Sequence, residues 1–184
     1  MQVITLQQKH KEPETFEQLL SQHLDSLYGL AFRLTQNQEK ARELLQESCL
    51  TAFEKFSQLR EINKMKPWLF QILHRKYLNA YRRKKEPPIV DIELDEELLT
   101  IPNDELSADH FEQLFGDEVQ TAFDFLPAEF REVIFMADIE EFSHREIAGI
   151  LEIPIGTVAS RLYRGHSLLA DKLKEYASKH GYLK

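Results

Sequence analysis

Apolar residues recur at helical spacing along most of the chain, and the clearest pattern lies near its carboxyl end. Ile147, Ile150 and Leu151 follow the i, i+3, i+4 spacing that places side chains on one face of a helix. Ser143, with a glutamate three residues later, has the sequence of a capping box at the start of this helix. Pro154 prevents the helix from continuing. The pattern therefore predicts a short helix that ends before Pro154.

A second helix is predicted directly after this turn. The dipeptide Ile155-Gly156 turns the chain, and Thr157 is a suitable N-cap residue. The apolar residues of the second helix are Val158, Leu162, Leu168 and Leu169. Two short helices joined by a Pro/Gly turn are typical of a DNA-binding helix-turn-helix, and an ordinary αα-hairpin has the same turn.

The amino-terminal half predicts three longer helices. One apolar pattern covers residues 15–34 and predicts a single helix, which ends at Asn37-Gln38. The next covers residues 41–56 and includes Cys49, which we interpret as a small core residue and not as a reactive thiol. Residues 57–66 are polar and aperiodic, so they predict a loop. A third helix begins near Pro67 and ends before Pro87-Pro88.

The helical pattern resumes at Val119, after a stretch with few apolar residues. Residues 119–126 predict one helix, and Pro127 opens the next. The apolar residues of that next helix are Phe130, Val133, Ile134 and Ala137. All the predicted elements are helices, so the fold class is predicted to be all-α.

The net charge of −8 does not by itself suggest a nucleic-acid partner. The charges are, however, unevenly distributed along the chain. Residues 64–85 carry +8, residues 86–118 carry −12 and residues 156–184 carry +4. Two basic blocks separated by an acidic block indicate two nucleic-acid contacts and a spacer. The start of the chain has no basic region followed by an apolar core, so the cytoplasm is the expected location.

The first basic block alternates aromatic and basic residues over residues 67–85. Aromatic rings stack on unpaired bases and cations hold the backbone, so this composition suits single-stranded nucleic acid. Gln71, Arg75 and Asn79 share one helix face at i, i+4, i+8 spacing. An amphipathic helix with a basic outer face would have the same pattern, so both interpretations stay open here.

Three segments resemble bacterial RNA polymerase sigma factors of the extracytoplasmic-function (ECF) group. Residues 126–165 read LPAEFREVIFMADIEEFSHREIAGILEIPIGTVASRLYRG and resemble sigma region 4. Residues 44–53 read LLQESCLTAF and resemble the helix that docks on the clamp helices of the polymerase. Residues 66–83 begin KPWLF, end YRR and resemble the helix that reads the −10 element.

The resemblance implies two small helical domains and an alternative sigma factor without catalytic activity. A region 2-like helical bundle would span residues 13–86, an acidic linker residues 87–116, and a region 4-like helix-turn-helix domain residues 117–184. The residues expected to bind the −35 duplex are Thr157, Ser160, Arg161, Arg164 and His166. Those expected to bind melted −10 DNA are Arg60, Asn63, Lys66, Trp68, Gln71, Arg75, Asn79, Arg82 and Arg83. Those expected to bind core polymerase are Leu45, Gln46, Glu47 and Phe53.

The expected partners are core RNA polymerase, promoter DNA and an anti-sigma factor, with no membrane insertion. The resemblance is to the subgroup whose inhibitors carry zinc and sense oxidation, so a redox switch would lie in the partner. No metal site or cofactor is expected, because the sequence has no Cys/His cluster and no phosphate-binding loop. Ala159 and His166 stand where many relatives have basic residues, which predicts weaker or more pH-sensitive duplex binding.

Two other functions compete with this interpretation. A stand-alone helix-turn-helix regulator would bind DNA without polymerase but leaves the basic, aromatic residues 67–85 without a role. A nucleic-acid enzyme would need a set of acidic metal ligands, which is absent near the basic blocks. The acidic linker has two interpretations of its own: a tether between the domains, or a mimic of the transcript backbone in a cationic polymerase channel.

Overall fold

The computed structural model describes residues 13–83 and 117–179, and within these ranges it contains no β-strand. The all-α prediction is confirmed. The helices are α1 (Pro13–Ser21), α2 (Leu24–Thr35), α3 (Gln38–Lys55), α4 (Met65–Arg83), α5 (Asp117–Asp124), α6 (Ala128–Ile134), α7 (His144–Leu151) and α8 (Ile155–Lys179). No helix within these ranges is long and apolar enough to cross a membrane. The predicted acidic linker, residues 87–116, lies outside the described residues.

Helices α1 to α4 form what we call the N-terminal lobe. The prediction of one helix over residues 15–34 is wrong, because the chain turns at residues 22–23 and divides this stretch into α1 and α2. The turn allows Phe16 to pack edge-on against Phe53 and Phe56, with ring centroids 5.5 and 4.9 Å apart. Phe16 is only 3% exposed. Burial of the Phe16 ring therefore favours two helices with a turn between them over the single helix that the apolar pattern predicts.

Helix α3 begins and packs as its sequence predicts. The Asn37 side chain caps the helix by accepting a hydrogen bond from the backbone amide of Lys40 at 3.0 Å. Cys49 is 2% exposed, and burial raises the pKa of its thiol to about 12. The interpretation of Cys49 as a core residue is confirmed. The connection to α4 contains two 3₁₀ turns, and Leu59 within it is buried.

Helices α5 to α8 form the C-terminal lobe, which contains the predicted helix-turn-helix in α7 and α8. Pro127 is the N-cap of α6, and a π-helical turn over Phe135–Ile139 follows that helix. The turn between α7 and α8 occupies residues 152–154, and α8 begins at Ile155. Thr157 was predicted to be an N-cap, which is wrong, because it already lies in the first turn of α8. Leu168, one of the apolar residues of this second helix, is 43% exposed.

The capping box at the start of α7 is confirmed. The backbone amide of Ser143 donates to Glu146 Oε2 at 2.8 Å, and the Glu146 amide donates to the Ser143 hydroxyl at 3.3 Å. Hydrogen bonds from the Ser143 hydroxyl and amide lower the pKa of the Glu146 carboxyl. The ionised Glu146 carboxyl therefore stabilises the folded state at pH values above its unfolded-state pKa. This stabilisation is lost as the pH falls through the lowered pKa of the folded state.

Ser143→Ala is expected to lower the free energy of unfolding by about 1 kcal/mol, because it removes a side-chain cap. Urea denaturation at pH 7 measures this, with Ser167→Ala at an exposed position of α8 as the control. The difference between wild type and Ser143→Ala is expected to shrink in acid, where Glu146 is protonated. An equal effect of the two substitutions would contradict a capping role.

Helix α8 approaches α6 closely at Gly165. A Cβ atom at this position would lie 2.8 Å from Cδ1 of Ile134 and 3.2 Å from Cβ of Phe130. Such distances are shorter than normal contacts, so glycine sets the separation of the two helices. The long second helix of the motif is thereby held against the rest of the C-terminal lobe.

The two lobes pack on each other through one continuous apolar core. Phe70 of α4 is fully buried and lies edge-on to Phe142, which precedes α7, with ring centroids 4.9 Å apart. Arg131 of α6 donates to the backbone oxygen of Arg33 in α2 at 2.8 Å. The sequence pattern predicted two domains and gave no sign of this contact. We call this packing the closed arrangement.

Candidate nucleic-acid interface

The outward face of α8 carries polar, cationic and aromatic residues. Val158 and Leu162 are buried at 0% and 4% exposure, which fixes the helix on the lobe and turns the opposite side outward. Ser160, Tyr163 and Arg164 lie on that exposed side. Among the described residues, Arg164 has no ion pair, so its guanidinium is free to meet a phosphate or a base edge.

Arg161 lies apart from this outward face. It is 25% exposed, and its guanidinium nitrogens lie 3.7 Å from Glu129 Oε2 and 3.5 Å from Glu132 Oε1. Both acidic residues belong to α6, so in this state Arg161 joins α8 to α6. A DNA contact by Arg161 stays a prediction and requires the side chain to leave these carboxylates.

The other two predicted −35 residues occupy different positions on α8. Thr157 is half-buried, and its amide donates to the backbone oxygen of Pro154 at 2.8 Å. His166 is half-exposed, and its Nε2 lies 2.7 Å from Asp138 Oδ2. The predicted set is therefore divided: Ser160 and Arg164 face outward, and Arg161 and His166 are paired with acidic residues.

Tyr163 belongs to the outward face, and the sequence interpretation did not include it among the site residues. Its side chain is 78% exposed, more than any other exposed large hydrophobic residue in the described ranges. Its position between Ser160 and Arg164 at helical spacing was the available signal. An exposed ring at this position can contact the thymine methyl group or a sugar, as apolar groups do in the major groove.

Helix α4 carries the predicted −10 residues, and Gln71, Arg75 and Asn79 share one face as predicted. Part of this face touches the C-terminal lobe. Gln71 Nε2 donates to the backbone oxygen of Gly149 at 3.1 Å, and Arg75 is ion-paired with Glu152. Asn79 is exposed.

The rest of the predicted −10 set surrounds the start of α4. Arg60 and Asn63 are exposed, and Trp68 is half-buried against the core. Lys66 Nζ lies 2.9 Å from Glu140 Oε2 and 4.8 Å from the centroid of the Phe142 ring, so it contacts the other lobe. Arg82 and Arg83 lie in the last turn of α4, and their side chains are outside the described part of the structure.

A cleft of about 470 Å³ lies between α4 and α6 and has contributions from both lobes. His74 and Glu132 face each other in it, with Nδ1 3.2 Å from Oε2 and both side chains 7% exposed. Arg161 reaches the same glutamate from α8. In the described ranges, no group of three or more His, Cys, Asp and Glu residues could hold a metal ion.

Comparisons with known proteins match both ends of the chain. Residues 19–86 match the family model of sigma-70 region 2, and residues 116–168 match that of sigma-70 region 4. The ECF RNA polymerase sigma factor EcfG of Rhodopseudomonas palustris is 30% identical, over 80% of this chain and 79% of the relative. The chain belongs to the ECF group of the sigma-70 family.

Two further comparisons agree with this membership. The ECF RNA polymerase sigma factor SigE of Mycolicibacterium smegmatis is 31% identical over 89% of this chain, which spans 63% of that relative's length. The structure of the sigma factor RpoE in complex with the anti-sigma factor NepR from Bartonella quintana superposes with a TM-score of 0.66 at 25% identity, over 88% of this chain and 98% of that chain. The chain is therefore an alternative sigma factor, a non-enzymatic initiation factor that acts with core RNA polymerase at promoter DNA.

The sigma factor's predicted polymerase-binding residues lie on α3. Gln46 and Glu47 are exposed, and Phe53 is 42% exposed. Leu45 was included in this set, and the structure places it in the core at 0% exposure. It packs inside the N-terminal lobe and has no surface to offer a partner, because its position on the helix is one turn before Cys49 on the buried stripe.

Proposed function

We propose that the sigma factor reads the −35 element as duplex with the outward face of α8. The observation that carries this proposal is the exposed row of Ser160, Tyr163 and Arg164 on the second helix of a helix-turn-helix. Such a helix enters the major groove, where hydroxyl, guanidinium and apolar groups distinguish base edges. Thr157 borders this face, and Arg161 and His166 would join it on exchanging their acidic partners for phosphates.

The melted −10 strand is assigned to α4 and the segment before it. Gln71, Arg75 and Asn79 supply amide and guanidinium groups along one helix face, and Trp68 supplies a ring beside them. Arg60, Asn63 and Lys66 extend this surface before the helix, and the resemblance adds Arg82 and Arg83 at its end. Stacking and phosphate contacts of this kind hold unpaired strands.

Core polymerase is assigned to the exposed part of α3, formed by Gln46, Glu47 and Phe53. This contact would lie in a region 2-like domain of residues 13–86, and the −35 contact in a region 4-like domain of residues 117–184. The linker of residues 87–116 would connect them either as a tether or as a transcript mimic. We expect the protein in the cytoplasm, because its proposed partner, core RNA polymerase, acts there.

Binding to promoter DNA with and without core polymerase tests this function. The DNA is first selected from a randomised library by the reconstituted holoenzyme. Gel shift is expected to show tight binding only when core polymerase is present. Tight binding by the sigma factor alone, with no gain from polymerase, would instead support the stand-alone regulator, which no comparison favours.

Charge reversal on α3 adds a residue-level arm to the same experiment. Glu47→Lys is expected to weaken core binding roughly tenfold, because a repulsive charge replaces a complementary one at an interface. Glu43→Lys makes the same change one turn earlier on the same helix, also at an exposed position. Equal core affinity of the two variants, measured by fluorescence anisotropy, would remove Glu47 from the contact.

An anti-sigma factor is the regulator that we infer for this chain. The structure of RpoE from Bartonella quintana contains such an inhibitor, NepR, and the chain resembles that sigma factor over most of its length. The inhibitor would cover the polymerase-binding surface, and in the subgroup resembled it would carry zinc and sense oxidation. A thiol switch in the sigma factor itself is disfavoured, because Cys49 is buried and protonated.

A further inference from the structure

The two arginines of α8 differ in whether carboxylates of the same lobe pair with them. The guanidinium of Arg161 lies 3.7 Å from Glu129 Oε2 and 3.5 Å from Glu132 Oε1. Arg164, three residues later, has no ion pair within the described ranges. One guanidinium of the DNA-reading helix is therefore neutralised, and the other is available.

Both carboxylates belong to α6, the helix against which α8 packs. Gly165 of α8 allows this close approach, since a Cβ atom there would lie 2.8 Å from Cδ1 of Ile134 in α6. The approach brings Glu129 and Glu132 within reach of Arg161. The pairing is thus a property of the lobe that contains the helix-turn-helix.

Arg161 lies at the edge of the outward face of α8. It follows Thr157 by four residues and precedes Arg164 by three, so the three side chains share one edge of that face. Its side chain is 25% exposed. A guanidinium at this edge is placed for a phosphate, and phosphate contacts position the protein without reading sequence.

A DNA phosphate and the Glu129 carboxylate offer Arg161 the same chemistry. Both are anions that accept hydrogen bonds from a guanidinium, so one contact is made at the expense of the other. The Glu129 side chain is 54% exposed and is separated from Arg161 by 3.7 Å. A pair with this exposure is weak, so DNA can displace it.

We propose that Glu129 and Glu132 limit the sequence-independent DNA affinity of the sigma factor by competing with phosphate for Arg161. The outward residues Ser160, Tyr163 and Arg164 stay available for base contacts. The sigma factor by itself then binds duplex weakly, and tight binding needs the additional contacts made by the polymerase in the holoenzyme. This proposal rests on the −35 role assigned to α8 above.

The test compares Glu129→Gln with Asp171→Asn in the full-length chain. Glutamine keeps the size of the side chain and one acceptor oxygen but removes the charge that holds Arg161. Asp171 is an exposed acidic residue of α8 that pairs with Lys174, so its amide variant changes the net charge equally. Glu132 is left unchanged because it is buried.

Binding of fluorescein-labelled duplexes of about 20 base pairs is measured by anisotropy without polymerase, over a series of salt concentrations. One duplex carries the selected −35 sequence and the other a scrambled one. Glu129→Gln is expected to bind both duplexes roughly fourfold more tightly at physiological salt. Its slope of log K against log salt is expected to steepen by about 0.9, because one more phosphate is neutralised. Asp171→Asn is expected to match wild type.

A double-mutant cycle separates competition for Arg161 from direct repulsion of DNA by Glu129. In an Arg161→Ala background, Glu129→Gln is expected to produce no gain, because no guanidinium remains to be released. A gain of the same size without Arg161 would mean that Glu129 repels DNA directly, and would overturn the proposal.

Three other results would also overturn it. They are an equal gain in Asp171→Asn, unchanged binding by Glu129→Gln, and weaker binding by Glu129→Gln, which would show that the carboxylate positions α8 for DNA. Glu129 lies in the first turn of α6, where a carboxylate favours the helix. Glu129→Asp keeps that charge but shortens the side chain, and it gives the same comparison if glutamine disturbs folding.

Failure of the competition and failure of the proposed function are distinguishable. A wild-type holoenzyme that does not prefer the selected −35 duplex to the scrambled one would count against the role of α8 itself. A negative result for Glu129→Gln with that preference intact rejects only the competition.

Discussion

Replacing Arg164 by alanine is expected to weaken −35 duplex binding of the holoenzyme by about 1–3 kcal/mol if its guanidinium contacts a base edge. Arg164 is exposed on the outward face of α8, and no ion pair holds it among the described residues. Its replacement would therefore remove the proposed DNA contact and disturbs no described contact within the protein. Tyr163 lies beside it and is 78% exposed, so the proposed contact would bring both side chains to the groove from one turn of helix.

A salt series separates the two kinds of contact that Arg164 can make. Loss of a base contact lowers affinity most for the selected −35 sequence and little for a scrambled one. Loss of a phosphate contact lowers affinity for both and reduces the slope of log K against log salt by about 1. Lys174→Ala, an exposed cation on the same helix, is the control. Unchanged affinity of Arg164→Ala at every salt concentration would remove Arg164 from the interface.

Replacing Arg131 by alanine is expected to lower the free energy of unfolding by about 3 kcal/mol, because charged hydrogen bonds are lost and buried acceptors are left without donors. Arg131 is 5% exposed. Its guanidinium donates to the backbone oxygens of Arg33 at 2.8 Å, Asp124 at 2.8 Å and Leu126 at 2.7 Å. One side chain thus satisfies carbonyl groups from both lobes.

Burial lowers the pKa of Arg131, and the charge of Asp124 opposes that shift. Arginine nevertheless stays protonated at any pH used in solution, so the loss is expected to be independent of pH between 6 and 8. Urea denaturation measures the effect, with Arg145→Ala, at an exposed position in α7, as the control. Ordinary surface substitutions change the free energy of unfolding by no more than about 0.5 kcal/mol. If Arg131→Ala lowers it by no more than that, water replaces the guanidinium at these carbonyl groups.

The sequence predicted those features that depend on neighbours along the chain. Ser143 and Glu146 form a capping box because the two residues are three positions apart, whatever surrounds them. The apolar faces of α3, α5 and α7 are buried as their periodicity predicts, because burial on a helix follows its 3.6-residue period. Family membership was also predicted from short sequence motifs in the helix-turn-helix and in α4.

The errors in the sequence interpretation arise where a distant contact decides the outcome. The break between α1 and α2 depends on Phe16 reaching Phe53 and Phe56 in another helix. The start of α8 at Ile155 depends on a left-handed Glu152, a conformation that its side chain does not favour by itself. Both cases show tertiary contacts overriding local preference.

Residue types and short-range spacing were therefore sufficient to predict the helical fold class, the helix-turn-helix, the cationic and aromatic character of α4 and the ECF family. These properties are carried by residue type and short spacing, which remain the same in any arrangement of the lobes. The packing of whole helices, and not the pattern along the chain, turns Arg161 toward Glu129 and Glu132 and brings Glu152 against Arg75. Pairs separated by 77 residues, such as Arg75 and Glu152, leave no periodic trace in one sequence, because their proximity is set by the packing of whole helices.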